Sequence, residues 1–163
     1  MSAKTETTSP EPARRRTGLS DAEYKVLGDF RRTIREFLVF SEEAAVAHGI
    51  TAQQHQALLA IRAHSGAEPM TVGELAESLM IKSHSAVGLV SRLEERDLVA
   101  RKESAEDRRR ALLELRPRGV EILETISERN LRKIDDAAGI LNEMVGMVRR
   151  LRTTQRRSDK SDG

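Results

Sequence analysis

The stretch that decides the fold runs from Met70 to Leu115 and reads MTVGELAESLMIKSHSAVGLVSRLEERDLVARKESAEDRRRALLEL. It contains two short amphipathic patterns separated by Met80-Ile81-Lys82, and then two apolar-rich segments that flank a polar loop rich in arginine. Helix, turn, helix and basic β-hairpin, in this order, are the parts of a winged helix-turn-helix, in which one helix enters a DNA groove and the hairpin lies beside it. The stretch therefore predicts DNA binding rather than catalysis.

The two amphipathic patterns predict a pair of short helices. Thr71 and Glu74 have the spacing of a capping box, and apolar residues then recur every three or four positions. A second helix is expected from about Ser83, and its outward face carries small or polar side chains that fit a major groove. An ordinary helical hairpin with a solvated face has the same periodicity and stays open as an alternative. The DNA-binding residues expected here are Lys82, Ser83, His84, Ser85, Val87, Gly88, Ser91 and Arg92.

The segment after the second helix predicts a β-hairpin, or wing, with a basic tip. Residues 98–102 and 111–115 are expected to form its strands, and the loop between them ends in three consecutive arginines. An arginine at such a tip can enter the minor groove, and Asp107 can fix the direction of Arg109 by pairing with it. A solvated run of charges is the alternative. The DNA-binding residues expected from this segment are Arg101, Lys102, Asp107, Arg108, Arg109 and Arg110.

Three motifs carry a resemblance to a known family. They are TVGELA at 71–76, VSRLEERDLV at 90–99, and DRR at 107–109 followed by LRPRG at 115–119. Residues 19–151 resemble the multiple-antibiotic-resistance-regulator (MarR) family of winged helix-turn-helix transcription factors. The resemblance implies a mainly α fold with a small β-wing, and a homodimer that binds pseudo-palindromic operators. We expect it to act as a repressor, and an activator stays open as the alternative. The resemblance also implies an effector cleft between the dimerisation helices and the DNA-binding lobe, with a small aromatic or phenolic acid as the effector.

Three positions depart from the pattern of that family. Lys82 stands where a hydroxyl residue usually caps the second helix, so Ser83 is expected to take over the cap. Asp97 replaces a frequent glycine, and a left-handed backbone there costs more for aspartate than for glycine. Arg116 replaces a capping threonine before Pro117.

The segments on either side of the DNA-binding lobe (about 51–116) predict dimerisation helices at about 20–48 and 117–152. The apolar stripe after residue 117 exceeds the needs of a small core, which predicts a partner along it. Two consecutive helices with a bend near Gly139 are expected there. The polar ends, residues 1–18 and 153–163, predict disordered tails. The dimerisation residues expected are Phe30, Leu123, Leu141, Val145, Val148 and Leu151.

Composition limits the remaining classes of function. The chain has 163 residues, no cysteine and a formal net charge of +2, so thiolate metal sites are excluded, and a pI near 9.2 favours a polyanionic partner such as double-stranded DNA. The four histidines lack metal-site spacing, and no phosphate loop or nucleophile elbow occurs; we therefore expect no metal, no cofactor and no enzyme activity. No signal peptide or membrane-length apolar run occurs, which predicts a soluble cytoplasmic protein with no membrane partner. The alternative function is a helical protein–protein adaptor whose basic wing docks onto an acidic partner.

Overall fold

The structure, a computed structural model, describes residues 19–66, 68–103 and 111–161, with side chains as far as residue 153. The described part of the chain is mainly α-helical with one two-stranded antiparallel sheet, which confirms the predicted fold class. In chain order the elements are α1 (Asp21–Ala47), α2 (Ala52–Ala63), α3 (Val72–Ser78), α4 (Ser83–Glu94), β1 (Val99–Glu103), β2 (Ala111–Leu115) and α5 (Pro117–Ser161).

Three of the helices begin at a capping box, which satisfies backbone N–H groups that have no partner within the helix. In the one predicted from the sequence, the Glu74 N–H donates to the Thr71 hydroxyl oxygen over 3.2 Å, and the Glu74 carboxylate accepts from the Thr71 N–H over 2.7 Å. Helix α4 differs, because its cap residue is Lys82 and no side chain of the described residues bonds its first turn. The prediction that Ser83 caps α4 is wrong, since Ser83 is already the first helical residue.

The core lies where the short helices and the wing pack around the first turns of α5. Leucine and alanine side chains dominate it, and Leu58, Leu75, Leu89, Leu98 and Leu113 are all at most 1% exposed. Leu123 belongs to the same cluster and is 3% exposed. Its assignment as a dimerisation residue is therefore wrong, because the start of α5 packs onto the DNA-binding lobe of its own protomer.

The wing is attached to the start of α3 as well as to α4. Strands β1 and β2 pair in register from Val99 opposite Leu115 to Glu103 opposite Ala111. On the other edge of β2, the Leu113 N–H donates to the Met70 carbonyl over 2.7 Å. The base of the wing is thus held by the residue that precedes the cap of α3.

Two of the three departures from the family pattern contact each other. Asp97 has a φ of 55°, so a left-handed backbone is present in this turn, as the sequence predicts. Its carboxylate accepts from Nε of Arg116 over 3.0 Å, and the Arg116 N–H donates to the Leu98 carbonyl over 3.0 Å. The substituted side chains therefore join the turn after α4 to the residue before α5.

Helix α5 is one continuous helix from Pro117 to Ser161, so the predicted division near Gly139 is wrong. A single glycine inside a helix destabilises it by only about 1 kcal/mol relative to alanine, and tertiary packing along a long helix stabilises it by more than that. The helix also continues beyond residue 152, where a disordered tail is expected from the sequence. No proline or glycine occurs from Met147 to Asp162, so nothing in the sequence stops the helix at residue 152.

Gly119 provides a test of the junction between the wing and α5. A Cβ atom at Gly119 would lie 2.2 Å from the Leu98 carbonyl oxygen, whereas one at Gly73, in α3, would meet nothing closer than 3.9 Å. Gly119→Ala is expected to lower the free energy of unfolding by about 1–3 kcal/mol, the usual cost of overpacking. The control Gly73→Ala should leave it unchanged or raise it by up to about 1 kcal/mol. Urea denaturation followed by circular dichroism measures both, and equal effects of the two substitutions would contradict the close approach.

Candidate nucleic-acid interface

Burial of one side of α4 determines which side chains it turns outward. Ala86, Leu89, Val90 and Leu93 are at most 1% exposed. The opposite side, with the turn before it, is solvent-accessible to different degrees: Lys82, Ser83, His84, Val87 and Arg92 are exposed, and Ser85, Gly88 and Ser91 are half-buried. We call these eight residues the reading face. They are the residues predicted from the sequence for this helix.

The first turn of α4 leaves backbone donors available at the reading face. The Lys82 carbonyl accepts from the N–H groups of Ser85 and Ala86, but the N–H groups of Ser83 and His84 have no partner among the described residues. Such free amides, together with the positive end of the helix dipole, attract phosphate oxygens. The lack of a side-chain cap therefore suits contact with a polyanion.

Two cations of the reading face are unpaired within the described part of the chain. Lys82 and Arg92 are exposed, and neither contacts a described carboxylate. The guanidinium of Arg92 lies across Gly88, because a Cβ atom built on that glycine would be 3.5 Å from Nη1. The arginine therefore lies along the reading face beside residue 88, at a distance that a Cβ atom there would also permit.

The two basic residues of β1 are engaged with carboxylates. The guanidinium of Arg101 lies 2.9 Å from the carboxylate of Glu94, and Nζ of Lys102 lies 2.5 Å from that of Glu114. No role in a site is predicted for Glu94 from the sequence, because a carboxylate among arginines on a helix is usually part of a solvated face. The predicted wing-tip residues Asp107, Arg108, Arg109 and Arg110 lie outside the described residues.

An exposed apolar stripe follows α1 and α5. Of the predicted dimerisation residues, Phe30, Val145 and Val148 are 44%, 49% and 39% exposed, and Leu141 and Leu151 are half-buried. Leu151 lines a groove between the start of α1 and the end of α5. Apolar side chains exposed on the same helices and absent from the prediction, although they have helical spacing, are Tyr24, Leu27, Ile34, Leu38, Leu131, Ile134 and Ile140.

The histidines do not come together in the described part of the chain, and no group of three potential metal ligands occurs there. His84 is exposed on the reading face, whereas His55 is 4% exposed within α2. Nε2 of His55 has no hydrogen-bond partner among the described residues, and burial lowers the pKa of this ring below its ordinary value. Among the described helices, none combines the length and the apolar character that crossing a lipid bilayer requires.

Comparison with known proteins agrees with this geometry. The model of the MarR family matches residues 48–110. A putative transcriptional regulatory protein for the hcr operon of Thauera aromatica is 29% identical over 126 residues, which cover 74% of each chain. The resemblance predicted from the three sequence motifs is confirmed.

Two solved structures share the fold at lower identity. The Staphylococcus aureus MepR–DNA complex has a TM-score of 0.57 at 21% identity, covering 75% of this chain and 97% of its own. CouR of Rhodococcus jostii bound to p-coumaroyl-CoA has a TM-score of 0.62 at 20% identity, covering 82% and 95%. At such identities these likenesses show the fold alone.

The buried His55 predicts a pH dependence of stability. In the unfolded chain this ring titrates near pH 6.5, about its ordinary value, and in the folded chain below it. As the pH falls through about 6.5, the unfolded state binds a proton that the folded state does not, so stability is lost. His55→Gln should flatten the dependence of the unfolding free energy between about pH 7 and pH 5, whereas the control Gln56→Ala, at an exposed position of the same helix with no titratable group, should keep the wild-type slope. Urea titrations at several pH values measure this, and an unchanged slope in His55→Gln would refute the assignment.

Proposed function

We propose that this chain is a regulator of the MarR type, which its sequence and its family-model match resemble, and that it binds a pseudo-palindromic DNA operator as a homodimer and represses transcription. The observation that carries the proposal is the reading face of α4, which is solvent-accessible and holds two unpaired cations, Lys82 and Arg92, within the described residues. Opposite it, the apolar side of the helix is completely buried. A helix held in this way can enter the major groove without unfolding any of its supports.

The contacts divide into those that position the protein and those that read bases. Lys82 and the free N–H groups at the start of α4 suit phosphate oxygens, which set register and most of the salt-sensitive affinity. The small side chains of Ser83, Ser85 and Gly88 allow the backbone to approach base edges closely. Arg109 of the wing tip is assigned, from the sequence, to the adjacent minor groove.

Dimerisation explains the apolar stripe of α1 and α5. Large apolar side chains such as Phe30, Val145 and Val148 are rarely left exposed along a whole pair of helices in a monomer. A second copy of the chain covers the same surface by two-fold symmetry. Two reading faces related by this axis would meet half-sites about 10 bp apart, centre to centre.

Regulation requires an effector that binds two arrangements of the dimer with different affinity. A small aromatic or phenolic acid is the proposed effector, and it would act in the cleft between the dimerisation helices and the DNA-binding lobe. The support is the resemblance to the family, together with a neighbour in fold that is bound to p-coumaroyl-CoA. Release from the operator would follow if the effector favours a spacing of the reading faces that does not match the groove repeat.

The DNA contact of the wing is tested by Arg109→Ala. The substitution should weaken binding to operator DNA by about 1–3 kcal/mol and relax sequence preference at the contacted position. Fluorescence anisotropy with a labelled duplex from upstream of the gene measures the affinity, and circular dichroism checks the fold. Unchanged affinity in a folded variant would remove Arg109 from the interface. Wild-type protein that ignores DNA at low salt but binds an acidic protein would instead support the adaptor.

The dimer is tested at the exposed stripe of α5. Val145→Glu combined with Val148→Glu places two charges on the proposed interface and should give monomers that bind the operator weakly, since a buried unpaired charge is costly. Leu59→Glu is the control, because Leu59 is similarly exposed but lies on α2. Sedimentation equilibrium measures the oligomeric state. Dimers that persist in the double variant would contradict the interface.

A further inference from the structure

A network of hydrogen bonds ties the first strand of the wing to the reading face of α4. Nη2 of Arg101 donates to the Val87 carbonyl and to the Ser91 hydroxyl, over 3.2 Å each. Nη1 of the same guanidinium pairs with the Glu94 carboxylate over 2.9 Å. Arg101 therefore contacts three residues of α4, spread over two turns of the helix.

Glu94 completes the network from the end of α4. One carboxylate oxygen accepts from the backbone N–H of Arg101 over 3.1 Å while the other faces its guanidinium. Both side chains are about 30% exposed, so water screens the pair less than it screens an ordinary surface ion pair. Charge-assisted bonds to one carboxylate from a backbone group and a guanidinium fix direction as well as distance.

The Ser91 hydroxyl is also committed within the network. It donates to the Val87 carbonyl over 3.0 Å and accepts from Arg101, so its proton is not available to a base edge. Arg101 and Ser91 are both assigned to DNA from the sequence, but the Ser91 proton and both terminal nitrogens of the Arg101 guanidinium already have partners within α4.

From these contacts we infer that Arg101 is a positioning residue, held by Glu94, which sets the angle between the reading helix and the wing and does not bind phosphate. The inference rests on the proposed function. Strand β1 has five residues and spans about 16 Å at about 3.3 Å per residue, so a rotation of about 10° at its base displaces its far end by about 3 Å. A displacement of that size would break a hydrogen bond between the wing tip and DNA. By holding the base of the wing against α4, Arg101 would let the helix and the wing contact DNA at the same time.

Variants of both partners separate this role from a phosphate contact. Arg101→Met and Glu94→Gln should each weaken operator binding about tenfold, the effect of one lost specific contact. Neither should change affinity for random-sequence duplex or the slope of log Kobs against log salt concentration. If Arg101 instead binds phosphate, Arg101→Met lowers that slope by about 1 and weakens both duplexes alike. In that case Glu94→Gln frees the arginine and leaves operator binding equal or tighter.

The double variant and two controls complete the experiment. Glu94→Gln with Arg101→Met should bind the operator as each single variant does, because either change opens the same network. Additive losses would overturn the inference. Arg101→Lys keeps the charge but not the planar set of donors, and it should weaken operator binding as Arg101→Met does. Wild-type affinity for the operator in this variant would also overturn the inference. Arg62→Met, at an exposed position of α2 outside the network, controls for the loss of one positive charge. Wild-type protein that fails to prefer its operator refutes the proposed function, whereas a preference kept by all the variants refutes only the role of Arg101.

Discussion

The DNA-binding lobe depends on the burial of one apolar side of α4. Four residues on that side are almost inaccessible to solvent, and Leu89 and Leu93 among them fill the centre of the core. Full burial of such a side chain contributes about 1.5–3 kcal/mol, so rotating the helix about its axis would forfeit several kcal/mol. The core therefore determines which side of α4 faces solvent, and the side chains of the reading face need contribute nothing to folding.

The remaining lobe converts this one orientation into a two-part surface. The Leu113 N–H bonds the Met70 carbonyl, Arg101 contacts α4, and Arg116 joins the turn at Asp97. The wing is thus attached to the helices through β2, through β1 and through the residue that follows β2. The same junction brings Gly119 of α5 against the Leu98 carbonyl, so the helix that carries the apolar stripe starts directly beneath the wing. Leu98 also donates its N–H to the Leu93 carbonyl over 2.9 Å, so the start of α5 and the end of the reading helix contact the same residue.

Local signals in the sequence were sufficient to predict most of the helices, strands and turns, but not the continuity of α5 or the contacts between elements. The capping box at Thr71 and the strand Ala111–Leu115 follow from spacing alone, because they involve neighbours in the chain. Leu123 and Val145 lie on one apolar stripe, and periodicity cannot distinguish the part that faces the protomer core from the part that faces outward. From the sequence, Arg101 is a basic residue of the wing and so is expected to contact phosphate. Only the distance to Glu94 shows that its guanidinium forms an ion pair within the chain.

The measurement that tests the central claim most directly uses the absence of cysteine from the chain. Val87→Cys introduces a single thiol on the reading face, to which an iron chelate that cleaves nearby DNA can be attached. The account predicts two clusters of strand cleavage within the operator, separated by about one helical turn, roughly 10 bp. Cleavage that is absent from bound DNA, or scattered without relation to a half-site, would contradict it.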